Sequence, residues 1–453
     1  MTGSTVTHPD WAIRGAICLI ATEADPEKLV RVATSIAVKD GKISAIGAQA
    51  HEKAAQVIDG NGLHVLPGVI DSQVHFREPG LMHKEDLETG TRGAALGGVT
   101  TVFEMPNTKP STTTREQFEA KIQASKNRVW TDISFFIGAA PENIEQLAEL
   151  EKLPGCCAVK VFMGSSTGSL LIEEDENVRR ILKNIQRRSA YHCEDEARLR
   201  ERKSIVTSSP GDVRLHPVWR DEESALRATR RLIRIAEETR KPVHVLHVTT
   251  AEEMAFLRDK KQFATVETTP QHLTLVAPEC YERLGTLAQM NPPIREARHR
   301  EALWKAVNDG TVTVLGSDHA PHTLEEKKLP YPDSPSGMTG VQTILPIMLN
   351  HVHEGRLSLE RLVELLCRNP ARLYKAIGKG EIREGFDADF TIVDLKKKKT
   401  ISNSWIASRS GWTPFDGLEV TGWPTMTVVR GQFVMREDQL PGTPIGRPIR
   451  FQI

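Results

Sequence analysis

Several residues of types that bind metal ions or move protons stand at the ends of short apolar runs. His75 closes "GVIDSQVH", His192 closes "SAYH", His247 closes "KPVHVLH", and Asp318 follows "TVTVLGS". Imidazole and carboxylate are the ordinary ligands of zinc-like ions. A carboxylate emerging from a strand into a loop can act both as ligand and as general base. Lys160 is the most unusual of the set, because "CAVKVFM" sets an amine inside an otherwise apolar run. A buried ammonium without a partner costs several kcal/mol, so such a lysine must be neutral, paired or chemically modified. A desolvated amine can react with carbon dioxide, and the carbamate formed is a carboxylate long enough to bridge two metal ions. Taken singly, each histidine has an ordinary structural reading. Together with Lys160 they point to metal-assisted chemistry. His244 is out of phase with His247 along its run, so both cannot face one site. In "SDHAPH", His322 can donate to a substrate anion, whereas His319 reads as structural or supporting.

Residues so scattered in sequence need a fold that gathers strand ends. Between about residues 66 and 377 short apolar strands alternate with longer amphipathic helices, the pattern of βαβ units in a parallel sheet. Strands are expected near residues 68–75, 99–105, 132–138, 157–163, 189–193, 242–247, 263–268 and 312–318. Eight is the number that closes a TIM barrel, whose chemistry sits where strands end and loops begin. Residues 1–65 and 378–453 read differently, as antiparallel β structure with two-residue turns at Asp40-Gly41 and Arg430-Gly431. The two ends are expected to pair in one small β-sandwich domain beside an α/β barrel.

Composition narrows the function classes. The 453 residues carry 59 Lys plus Arg against 59 Asp plus Glu, so no bulk field draws the chain to nucleic acid or to anionic lipid. A small-molecule substrate is expected. Six cysteines are spread without CxxC spacing, which suits a reducing cytoplasm better than a disulfide scaffold. No apolar run of about 18 residues occurs and the start is not that of a signal peptide.

The motifs "DSQVHFREPG", "HKEDLETGTRGAALGGVTTVFEMPNT", "VKVFMGSSTG", "YHCEDE", "HVLHVTT", "NPPIR", "GSDHAPHT" and "GEIREGFDADFTIVDL" occur in this order over most of the chain. In this the sequence resembles the amidohydrolase superfamily and, within it, the dihydroorotases. The resemblance implies a binuclear zinc site bridged by a carboxylated lysine, here Lys160. It implies one metal on His75, Lys160 and Asp318 and a second on Lys160, His192 and His247. Hydroxide between them would attack a ring carbonyl, with Asp318 taking the proton and passing it to the leaving nitrogen. The family's substrate carboxylate would be held by Arg77, Asn107 and His322, and the ring by Asn291. Allantoinases resemble this pattern with Asn where Arg77 stands, and a guanidinium grips a carboxylate through two parallel hydrogen bonds that an amide cannot copy. The expected reaction is therefore the reversible hydrolysis of dihydroorotate to N-carbamoyl-aspartate in pyrimidine biosynthesis, by a homo-oligomer. The alternatives are a hydantoinase or allantoinase type of cyclic amide hydrolase, or a non-catalytic partner of aspartate transcarbamoylase.

One position departs from the family pattern. The first histidine of its His-x-His pair is Gln73, and an amide oxygen is a poorer zinc ligand than an imidazole nitrogen. An unequal site follows, with the His192 and His247 zinc held firmly and its neighbour weakly or not at all. The segment "TLEEKKLPYPDSPSGMTG" from Thr323 to Gly340, rich in Pro, Gly and charge, is expected to be a mobile loop above the site.

Overall fold

The computed structural model describes residues 8–22, 25–166 and 170–452. Its larger part is an eight-stranded parallel sheet. In chain order the strands are β1 (Val69–Val74), β2 (Val99–Glu104), β3 (Asp132–Gly138), β4 (Cys156–Phe162), β5 (Ser189–His192), β6 (Val243–Val245), β7 (Ala264–Thr268) and β8 (Val314–Leu315). Each strand pairs with the next. A parallel bridge between Val74 and His319, with the His75 amide donating to the His319 carbonyl at 2.7 Å, closes the ring. The result is the expected TIM-type barrel.

Helices cover the strands because their sequences supply both a cap and an apolar stripe. Asp86, Thr114, Asp221 and Thr250 each accept a hydrogen bond from the backbone amide three residues on, which satisfies an otherwise orphaned helix N-terminus. In the helix Glu222–Thr239, Ala225, Ala228, Thr229, Leu232, Ile233 and Ala236 recur at helical spacing and are buried, while arginines and glutamates take the outer face. That stripe packs on the barrel.

The two chain ends meet in a second sheet. Strand His64–Pro67 pairs antiparallel with Phe390–Thr400, joining N-terminal strands to C-terminal ones around Trp11, Ile36, Val65, Phe390 and Ile392. Both foreseen turns are present. Asp40 and Gly41 have φ of 50° and 75°, and Arg430 and Gly431 of 45° and 74°, the left-handed pair that a two-residue hairpin needs. Part of the C-terminal region leaves this sheet. Residues 401–418 run over the barrel mouth, where Ser408 and Arg409 bond Glu85 and Asp86, and Trp412 Nε1 donates to the His322 carbonyl at 2.7 Å. At the opposite end Pro448 bridges to Ile133 and Phe451 to Ala376.

Asp132, Asp387 and Asp389 gather where sheet and barrel meet, the one trio of acids among the described residues close enough together to hold a metal. The Lys379 ammonium already occupies their centre, 2.6 Å from Asp132, and Arg430 bonds Asp132 as well. This is a buried ion network that joins the two parts. Among the described residues no helix is long and apolar enough to cross a membrane.

Candidate active site

The carboxyl ends of the strands surround a small polar cavity. Gln73, His75, Arg77, Asn107, Lys160, His192, His247, Asn291 and Asp318 all line it, so eight of the nine residues singled out from sequence share one wall with Gln73. His322 does not line it.

Lys160 stands within β4, opposite Gly138 of β3 and Ala190 of β5. Its Nζ is buried, has no hydrogen-bond partner, and lies 4.6 Å from the centre of the Phe162 ring. Burial pulls the amine down from its usual range to about 8. The side chain is thus the desolvated lysine that the apolar run implies.

His192 and His247 converge, with His192 Nδ1 3.1 Å from His247 Nε2. His192 Nε2 donates to Glu194 at 2.9 Å, and Glu194 is held in turn by Arg220 at 2.6 Å. This chain of partners fixes the ring and leaves Nδ1 as the lone-pair nitrogen. Burial lowers the pKa of both histidines, so both are neutral and fit for ligation.

His75 Nδ1 donates to Asn107 Oδ1 at 2.6 Å, which turns Nε2 and its lone pair towards Asp318, 3.2 Å away. Lone pair and carboxylate face each other, an arrangement that calls for a proton or a cation between them. Gln73 intrudes here. Its Nε2 donates to Asp318 Oδ1 at 3.1 Å, while its Oε1 is buried without a partner. The donor set around Lys160, His192 and His247 fits a zinc-like ion. That around His75 and Asp318 fits one less well, because Gln73 presents a donor where a ligand is needed.

Arg77 is almost fully buried. Nε donates to the Pro321 carbonyl at 3.1 Å and Nη2 lies 3.2 Å from His322, but Nη1 is buried with no partner. Asn291 donates to Ser166 Oγ at 3.4 Å and its Oδ1 is likewise unpartnered. Buried polar atoms are nearly always satisfied, so these two, a donor and an acceptor on one cavity, mark where a ligand belongs. Arg77, His247 and Asp318 have φ of 64°, 36° and 44°, a left-handed backbone that costs non-glycine residues free energy and concentrates at functional sites.

His322 stands behind Arg77 and does not reach the cavity: Lys84 Nζ donates to its Nδ1 at 3.0 Å, and its Nε2 donates to the Ser336 carbonyl at 3.0 Å. Burial pushes its pKa to about 3, so it supports Arg77 as a neutral ring with both nitrogens engaged. Nor is the segment from Thr323 to Gly340 a loose loop. Lys327, buried in it, donates to the carbonyls of Pro335, Gln289 and Gly337 at 2.9, 3.2 and 3.2 Å, and Tyr331 is buried beneath. His319 is structural, accepting from the Gly340 amide at 3.0 Å. His244 turns towards Thr265 and Glu267, away from His247's partners.

Some supporting residues escaped the sequence reading. Glu267 lies beneath Lys160 in β7, bonded by Ser72 at 3.2 Å, and burial pushes its carboxyl up to about 8. Asp71 accepts from the amides of Gln73 and Ser317 and is pushed up to about 7. The available signal was the one that exposed Lys160, a charge within an apolar strand. Glu194 and Arg220 carried no comparable signal.

Residues 64–434 match the description "Amidohydrolase family". A protein named dihydroorotase from Methanosarcina acetivorans is 35% identical over 425 residues, covering 90% of this chain and 90% of its own. One of the same name from Pyrococcus furiosus is 34% identical, covering 91% and 92%. Among solved structures, the L-hydantoinase (dihydropyrimidinase) from Arthrobacter aurescens superposes with a TM-score of 0.91 at 29% identity, covering 97% of this chain and 99% of its own. The dihydropyrimidinase from Brevibacillus agri gives 0.88 at 25% identity, covering 96% and 97%.

Proposed function

The chain belongs to the amidohydrolase family, and from that premise we propose that it is a dihydroorotase, interconverting dihydroorotate and N-carbamoyl-aspartate. It is a hydrolase of cyclic amides. The observation that carries the choice of substrate is the unpartnered Nη1 of Arg77 on the cavity wall. A buried guanidinium with a spare donor suits a ring that bears a carboxylate. The relatives named dihydroorotase point the same way, at higher identity than the hydantoinases that share the fold.

The residues divide the work as follows. His192 and His247 with Lys160 would hold one zinc-like ion, and His75 and Asp318 with Lys160 a second; such ions acidify a bound water and polarise a carbonyl. Arg77 grips the substrate carboxylate, and Asn107 stands on the same wall with its oxygen fixing His75. Asn291 Oδ1 accepts from a ring N–H. Asp318 takes the proton of the attacking water and returns it to the ring nitrogen as the amide bond breaks. Lys160, with its amine lowered to about 8, has enough neutral form near neutral pH to add carbon dioxide and release a proton, which converts an unpaired buried amine into a carboxylate ligand. Gln73 makes the His75 side the weaker of the two.

The same reading includes a homo-oligomer acting in the cytoplasm on a small molecule, without nucleic acid or membrane. All six cysteines are free and buried, which suits a reducing compartment. The test is to count zinc per chain and to follow ring opening of dihydroorotate, hydantoin and dihydrouracil by absorbance in one preparation. Turnover of dihydroorotate well above the two neutral rings is expected. Preference for the neutral rings would establish the hydantoinase reading instead.

A further inference from the structure

We propose that the end of the barrel opposite the active site carries a binding site for a small phosphorylated anion, centred on Arg187 and Arg188. A cleft of about 480 Å3 opens there. Its walls come from the starts of the middle strands and from the residues that follow the helix Asn369–Leu373. Among the described residues four cationic side chains line it, Arg187, Arg188, Arg372 and Lys375, and no carboxylate does.

Arg372 is neutralised by Glu27 and Glu381. The other three make no ion pair among the described residues. Arg188 is anchored by Nη1 alone, which donates to Thr265 Oγ1 at 3.1 Å and lies 3.5 Å from the Val243 carbonyl. Arg187 donates from Nη1 to the Cys156 carbonyl, and its Nε is buried without an acceptor. Neighbouring strands thus hold both guanidinium groups still while donors on each lack acceptors. Tyr374, also on the cleft, has a buried hydroxyl with no partner.

Removing a guanidinium from water without a counter-charge is costly. Surface arginines avoid that cost by swinging into solvent, but Arg187 and Arg188 are half-buried and pinned. An anion in the cleft supplies the missing charge. Guanidinium donors that remain on two adjacent arginines can meet the oxygens of a phosphate group, and Lys375, exposed at the rim, adds a third positive charge suited to the second negative charge of a phosphate monoester. The size of the cleft is that of a small-molecule site. Arg188 also leads directly into β5, the strand that ends in His192, so an occupant at one end of the barrel braces a strand that serves the other.

The full-length protein is titrated with inorganic phosphate and with pyrophosphate, chloride keeping the ionic strength constant, and read by calorimetry and by the thermal midpoint. Saturable binding is expected, tighter for pyrophosphate, with a rise in midpoint. Arg188→Met should weaken binding by about tenfold or more and leave hydrolysis without added anion unchanged. Should that variant fail to fold, Arg187→Gln and Lys375→Met, each on a different element, make the same test. Equal affinity in wild type and variants overturns the proposal. So does binding no tighter than that of chloride, the mark of an adventitious ion only. Preference for an acidic peptide such as oligoglutamate over both phosphates also overturns it, in favour of a protein partner.

Discussion

Gln73 donates its side-chain amide to Asp318 across 3.1 Å, so the residue that stands where the resemblance leads one to expect a histidine ties down the carboxylate proposed as base and ligand. This contact makes Gln73 worse than a merely weak ligand. It spends one of the two oxygens of Asp318 on a neutral donor. Gln73→His should remove that donor and restore an imidazole, raising zinc per chain and increasing kcat by about tenfold or more, since even changes in residues that support ligands move activity 10- to 100-fold. Metal content and rate both unchanged would mean that position 73 does not govern the His75 side.

Arg77 offers a second test. Its Nη1 has no acceptor, and a charged hydrogen bond is worth about 1.5–3 kcal/mol, roughly 10- to 100-fold in an equilibrium. Arg77→Asn should lower kcat/KM for dihydroorotate by at least that factor, while hydantoin and dihydrouracil, which carry no carboxylate, change little. A parallel loss on all three rings would show that Arg77 shapes the cavity and does not select the substrate.

Much of this was readable in the sequence for one physical reason. A charge inside an apolar strand is expensive, so Lys160 stands out from "CAVKVFM" alone, and strand ends are local features that alternation reveals. The eight strands fall close to their expected positions for that reason. What could not be read depends on partners distant in sequence. His322 reads as a donor to a substrate anion until its contacts with Lys84 and the Ser336 carbonyl are seen. The composition of Thr323 to Gly340 suggests mobility, yet Lys327 finds a carbonyl at Gln289. The passage of residues 401–418 over the barrel mouth rests on Trp412 meeting the His322 carbonyl, which no local pattern encodes.

His216 gives a prediction for pH. It is buried, donating Nε2–H to the Met290 carbonyl at 2.9 Å and lying 3.2 Å from the Tyr331 hydroxyl, and burial lowers its pKa from 6.5 to about 3. The unfolded chain takes up this proton as pH falls below 6.5, and the folded chain does not. Stability from this group is therefore complete above about 6.5 and declines towards about 3, with a slope of about 1.4 kcal/mol per pH unit. Buried carboxyls such as Asp71 and Glu267 titrate in the opposite sense, so the comparison must be between wild type and His216→Gln. Their difference in urea unfolding free energy should shrink between pH 6.5 and 5. A difference that stays constant would show that the ring takes up its proton in the fold as readily as in the unfolded chain.

Lys327 joins the two segments that frame the cavity, and its replacement should act on substrate binding. Its three carbonyl partners lie before Asn291, at Gln289, and on the Pro335 to Gly337 rim. Gln289 strengthens the same joint by bonding Ser334 and Ser336. The rim in turn meets His322, which backs Arg77. Methionine at 327 keeps an apolar stem but loses every donor, so the Pro335 and Gly337 carbonyls lose the Lys327 ammonium while Gln289 keeps the Gly337 amide, at about 1–3 kcal/mol for each carbonyl left unpaired. With Arg77 proposed to hold the substrate carboxylate in ground and transition states alike, a loosened rim should raise KM by about tenfold while kcat falls less. Lys327→Arg, which keeps a cation and donors, should recover part of the loss. Equal falls in kcat for both variants with KM unchanged would place Lys327 in the stability of the fold alone, and a thermal midpoint measured beside the kinetics separates the two effects.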